Sequence, residues 1–151
     1  MVISFIGHGQ LSGEAELYQK LREVLDRFLP REESVLFFCG GYGDFDRLCA
    51  SVCREVKSHY SQGEMVFISP YGTESFLKKA KELIDLGLYD SMIYPPIENC
   101  PPRYAILKRN EWIVDHSDLI ISYVTHDFGG AYKALEYAKK KKKNILDLTC
   151  L

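Results

Sequence analysis

Apolar and polar positions alternate along this chain in two kinds of block. "VISFIG" (Val2–Gly7) is a short apolar run closed by glycine, the pattern of a buried strand. "LYQKLREVLDRFL" then sets Leu17, Leu21, Val24 and Phe28 at helical spacing. "SVLFFCGG" (34–41) reads as a second strand, and Phe45, Leu48, Cys49, Val52 and Val56 mark a second helix. "MVFIS" (65–69) predicts strand three, and Phe76, Ala80, Leu83 and Ile84 helix three. "DSMIYPPI" is a shorter fourth strand, because Tyr94 stands before a proline and is pushed towards extended geometry. Pro101 and Pro102 suit the first turn of a helix from about 103 to 116. "DLIISYV" (118–124) is strand five, followed by a helix to about Lys142 and "NILDL" as a last strand. Apolar strands alternating with amphipathic helices predict α/β architecture: a Rossmann-like open, mostly parallel sheet with helices on both faces.

Composition narrows the class. A chain of 151 residues, 46% hydrophobic and 26% charged, without repeat or composition break, reads as a single globular domain over 1–151. A net charge of −2 argues against a surface built to neutralise many backbone phosphates, so nucleic acid is not an expected partner. The cysteines Cys39, Cys49, Cys53, Cys100 and Cys150 are odd in number and form no C-x-x-C pair, which predicts free thiols and a cytoplasmic protein. No apolar run approaches the ~20 residues of a membrane span, and the amino terminus lacks the basic region of a signal peptide.

In open parallel sheets, ligands sit beyond the carboxyl ends of the strands. Those ends here are "GHGQ" (7–10), "CGGYGDFD" (39–46), "SPYG" (69–72) and "THDFGGAY" (125–132). Glycines followed by a helix N-terminus suit an approaching phosphate, although neither G-x-G-x-x-G nor a P-loop is present. The same stretches also read as tight turns that simply lead into helices. Two roles fit Asp44 and Asp46: capping the helix, or accepting hydrogen bonds from ribose hydroxyls. The candidate ligand residues are therefore Gly7, His8, Gly9, Gly40, Gly41, Tyr42, Gly43, Asp44, Asp46, Ser69, Pro70, Tyr71, Arg109, Asn110, Gly129, Gly130, Ala131 and Tyr132. Arg109 is the available anion ligand. Cys49 and Cys53 share a helical face and read as core; no metal site and no cofactor are expected. The run 139–143 of lysines complements the dipole at a helix C-terminus.

Together, "RNEWIVDHSDLIISYVTHDFGGAYKALEYAKKKKKNI" and "FFCGGYGDFDRLCA" resemble the SLOG superfamily, the Rossmann-like domain of LOG-type phosphoribohydrolases and Smf-type DNA-processing proteins. The likeness is to its small stand-alone bacterial members. The resemblance matches Arg109 to the family arginine, Asp118 to the strand-start aspartate, Gly129 and Gly130 to the glycine pair, and Glu136 to the catalytic glutamate. Asn110 stands where the LOG enzymes have lysine, Tyr132 replaces their third glycine and Lys133 their threonine. No proline precedes the glycine pair, and "THDF" lengthens the loop.

The resemblance implies binding or sensing of a nucleotide or ADP-ribose-like ligand, with a homodimer as the assembly. One alternative is cleavage of nucleoside monophosphates by Arg109 and Glu136, since glycosidic cleavage needs a carboxylate near the anomeric carbon. Another is a nucleic-acid or protein interaction module using the chain's tyrosines and phenylalanines.

Overall fold

The computed structural model describes residues 1–30, 32–60 and 62–151. Six strands, β1 (Val2–Gly7), β2 (Val35–Cys39), β3 (Gly63–Ile68), β4 (Ser91–Ile93), β5 (Leu119–Tyr123) and β6 (Ile145–Asp147), form one sheet in the order β4-β3-β2-β1-β5-β6. Every pairing is parallel. The helices are α1 (Glu14–Phe28), α2 (Gly43–Lys57), α3 (Glu74–Asp85), α4 (Ala105–Asp115) and α5 (Gly129–Lys140). The architecture is the Rossmann-like α/β fold that the alternation predicted.

Side chains alternate across the strands and so divide between two cores. Ile3, Val35, Phe37 and Met65 pack with α1 and α2 on one face. Ile6 and Ile120 pack with Val114 of α4 and Ala134, Leu135 and Ala138 of α5 on the other. The inner face of α2 carries Phe45, Leu48, Cys49, Val52, Cys53 and Val56, all buried. Each buried side chain of the larger kind stabilises by roughly 1.5–3 kcal/mol. Burial pushes the thiols of Cys49 and Cys53 up, which leaves them unreactive core groups.

The strand ends differ from expectation for local reasons. β2 stops at Cys39 because Gly41 adopts a left-handed φ of 75° and turns the chain. Pro102–Tyr104 forms a 3-10 turn, so regular helix begins only at Ala105. At the opposite edge two carboxylates tie neighbouring strands. The Val2 amide donates to Asp118 Oδ2 at 2.7 Å and the Met65 amide to Asp90 Oδ2 at 2.8 Å.

Two positions test this packing. A Cβ on Gly7 would lie 2.2 Å from the buried Phe45 ring. Gly7→Ala is therefore expected to destabilise by about 1–3 kcal/mol in denaturant unfolding. Ser122 Oγ is buried without a partner among the described residues. Ser122→Ala should accordingly raise the unfolding midpoint, by an amount on the order of 1 kcal/mol.

Candidate functional site

Strand order reverses between β1 and β5, and a cleft of about 270 Å³ opens at their carboxyl ends. In a doubly wound sheet the loops there diverge to opposite faces, which leaves the space between them. Gly7 at the end of β1 and Gly9 after it, Gly40 and Tyr42 after β2, and Gly130 and Ala131 of α5 line it, with Asp46 from α2 and Arg109 and Asn110 from α4. Both glycine-pair loops and the arginine thus converge on one place.

Arg109 is the central group. It is 2% exposed, yet no carboxylate of the described residues comes within 4 Å of it. Its Nη1 donates to the carbonyls of Gly40 and Ile68, both at 2.8 Å, and its Nε to Asn110 Oδ1 at 3.0 Å. Those carbonyls lie at the ends of β2 and β3, so the sheet edge itself orients the guanidinium. Nη2 has no protein acceptor among the described residues. Burial pulls the Arg109 value down, opposed by nearby Asp46.

Asp46 is pushed up to about 6, chiefly by burial; the Tyr42 amide and Arg109 pull it back. It accepts from the Tyr42 amide at 3.1 Å. A perturbed carboxyl beside a buried cation in a cleft marks a candidate site, and buried structural networks shift such groups in the same way. Gly40 leaves room for both groups: a Cβ would sit 2.9 Å from Asp46 Oδ2 and 3.2 Å from Arg109 Nη2, so the two side-chain ends would have to shift. Gly130 contrasts with it, since a Cβ at Gly130 would meet nothing within 4 Å. The N-terminus of α5 is therefore open to an approaching group.

Other candidate residues stand around this cleft without lining it. Gly43 packs against the β1 loop, where a Cβ would lie 2.7 Å from Gly9 Cα. Asp44 accepts from the Leu11 amide at 3.0 Å and pairs with Arg47 at 2.5 Å. Gly41 borders a neighbouring cavity instead. Ser69 and Pro70 are buried, and Ser69 Oγ donates to the Tyr71 carbonyl at 2.7 Å. Gly129 opens α5 with a left-handed φ of 89°, and Tyr132 is half-buried on that helix. Glu136 is exposed on the flank of α5 and pairs with Lys139 at 3.4 Å, outside the cleft. Apolar walls from Ile106, Ile113 and Ala134 complete the site. The sequence reading did not single them out, since apolar residues within a helix carry no signal of a site.

His8 braces the loops from below. It is buried, its Nε2 accepts from the Thr125 amide at 2.9 Å, and its ring stacks on His126 with centroids 3.5 Å apart. His126 in turn stacks on Phe128, at 3.9 Å. Among the described residues no three His, Cys, Asp or Glu side chains gather as a metal site would require. Nor is any helix among them long and apolar enough to cross a membrane.

No family model matches this chain. An uncharacterised SPbeta prophage-derived protein of Bacillus subtilis, YoqJ, is 24% identical over 141 residues, covering 83% of this chain and 81% of its own. Among solved structures, DNA processing protein A of Helicobacter pylori superposes with a TM-score of 0.61 at 14% identity. The match takes in 97% of this chain but only 64% of that one, so the present chain spans less than two thirds of its neighbour. At that identity the likeness is one of fold, shared with a DNA-processing protein of the kind the sequence resembles. The neighbour's structure is described for a single-stranded DNA binding mode. That corrects the expectation set against nucleic acid on grounds of net charge. Net charge sums a whole surface and carries no information about how the charges are distributed over it.

The His8 contact carries a pH dependence. Burial first, then His126, hold His8 below its ordinary value of 6.5. The folded state thus favours neutral His8, and the contribution is complete above 6.5 and lost as pH falls through the lowered value. The Thr125 amide is expected to be protected from hydrogen exchange at pH 7 and to lose protection in acid. His8→Gln, whose side-chain oxygen can accept the same bond, should flatten that profile.

Proposed function

We propose that this protein binds or senses a nucleotide-derived ligand, its phosphate held by Arg109 at the carboxyl ends of the strands. One observation carries the reading: a buried guanidinium, fixed by two strand-end carbonyls, faces a cleft with no carboxylate within 4 Å among the described residues. Asp46 is near Arg109 but beyond 4 Å, so Nη2 is left without an acceptor among the described residues, and a bound phosphate supplies one. The open N-terminus of α5 adds unpaired amides and a favourable dipole on the same side. The SLOG resemblance points to the same class of ligand.

Binding is preferred to cleavage because Glu136 stands outside the cleft and pairs with Lys139. A glycosidase carboxylate must reach the anomeric carbon of the bound sugar. Free base released from AMP, and abolished by Glu136→Gln, would overturn that preference.

A second reading, single-stranded DNA, is favoured by the structural neighbour described for that ligand. It uses the same chemistry, a phosphate at Arg109, delivered by a strand instead of a free nucleotide. Calorimetry with nucleoside monophosphates and polarisation with a labelled oligonucleotide separate the two, and strand affinity should fall steeply with added salt.

Arg109→Ala is expected to weaken whichever ligand binds by at least roughly tenfold, since hydrogen bonds to charged groups contribute about 1.5–3 kcal/mol. That variant also strips the Gly40 and Ile68 carbonyls of a donor. Gly130→Glu is the companion test, because its side chain enters open space and sets a carboxylate beside the cleft. Unchanged affinity in a folded Gly130→Glu protein would remove the reading.

A further inference from the structure

Beyond Tyr42 lies a second and larger cavity of about 480 Å³, between α2 and α3. Its walls are aromatic. Phe67 and Phe76 stack at 6.3 Å, Phe67 meets Tyr89 at 5.4 Å, and Tyr42 stacks on Phe76 at 6.5 Å. Three cations line the same space; Arg47 pairs with Asp44, whereas neither Arg54 nor Lys79 has a carboxylate within 4 Å among the described residues. Arg54 makes only long contacts, to the Leu88 carbonyl and Ser51 Oγ, both at 3.4 Å.

Volume connects the two spaces. At about 270 Å³ the Arg109 cleft falls below the roughly 300–1,000 Å³ that encloses an organic ligand, whereas the aromatic cavity falls within it. Tyr42 is the shared wall. It is 42% exposed, and the Arg109 guanidinium lies 5.7 Å from its ring centroid. A molecule anchored by phosphate at Arg109 can therefore pass Tyr42 and place a flat, apolar ring among Phe67, Phe76 and Tyr89. Arg54 and Lys79 can then donate to the ring-nitrogen or carbonyl acceptors on the edge of that ring.

We infer that the cavity between α2 and α3 is the nucleobase pocket of this protein, with Tyr42 as the stacking ridge between base and anchored phosphate. This rests on the phosphate reading of Arg109 and adds to it where the base goes. Stacking on aromatic side chains tolerates any base and stabilises each by about 1–3 kcal/mol. Free nucleotides and single strands present the same combination of phosphate and base.

Calorimetry with ribose 5-phosphate, AMP and a short thymidine oligonucleotide tests the assignment. AMP is expected to bind roughly tenfold more tightly than ribose 5-phosphate. Ser51→Trp, which fills the cavity from α2, should abolish that preference while leaving ribose 5-phosphate binding unchanged. Lys79→Glu, at an exposed position, should weaken AMP and the oligonucleotide without disturbing the fold. An oligonucleotide that binds more tightly than AMP identifies the strand as the source of the base; equal affinity identifies the free nucleotide. Equal binding of AMP and ribose 5-phosphate, both insensitive to Ser51→Trp and both lost in Gly130→Glu, would overturn the base pocket and leave the phosphate site standing. No binding by any of the three would overturn the phosphate site and the pocket together.

Discussion

A guanidinium buried at the edge of a sheet is the constraint around which this molecule is arranged. Taking a charge out of water costs several kcal/mol unless its hydrogen bonds are met. Arg109 meets part of that cost with the carbonyls that end β2 and β3, and with Asn110 beside it. The arrangement fixes α4 against the carboxyl edge of the sheet. It also crowds Gly40, where a side chain would push the ends of Arg109 and Asp46 aside. What remains of the guanidinium is presented to the cleft, and Asp46, held near 6 by burial, tunes the charge there.

The loops around that group brace one another. The amides of Asp44 and Phe45 donate to the carbonyls of Gly9 and His8, which locks the N-terminus of α2 onto the β1 loop. His8 then accepts from Thr125 and joins the β1 loop to the loop after β5. Phe45 fits against Gly7 only because that residue lacks a Cβ. Several glycines that resemble a phosphate-binding motif are thus needed for protein-to-protein packing. Gly9 and Gly130, each with open space where a Cβ would stand, are the two in the cleft whose freedom is left for a ligand.

The strand-start aspartate has a purpose far from the cleft. Asp118 accepts from the Val2 amide through its carboxylate, while its own amide donates to the Val2 carbonyl at 2.8 Å. This pair of bonds sets the register of β1 on β5, and hence the position of the switch point where the cleft opens. Asp118 therefore acts by holding the two strands that flank the site, and it does so from their opposite ends.

Strand and helix identity could be read from the chain because burial imposes short periods that the sequence repeats: two cores sharing one sheet, and helices with one apolar face. The glycine loops and Arg109 were also legible, since a parallel sheet gathers its strand ends on one edge. Net charge, by contrast, misled on nucleic acid, because a sum over residues carries no information about which edge they occupy. Glu136 matched by spacing from the glycine pair, yet rotation along α5 turns it outward to Lys139. The aromatic cavity could not be read at all. Phe67 and Phe76 sit in a strand and a helix as core residues do, Tyr89 lies in the connection before β4, and only the packing of α2 and α3 leaves a cavity beside them. Periodicity along one chain determined the elements and the edge that bears the site. Which groups meet there, and what space they leave, depends on how the helices pack across residues far apart in sequence, and tertiary structure alone decided that.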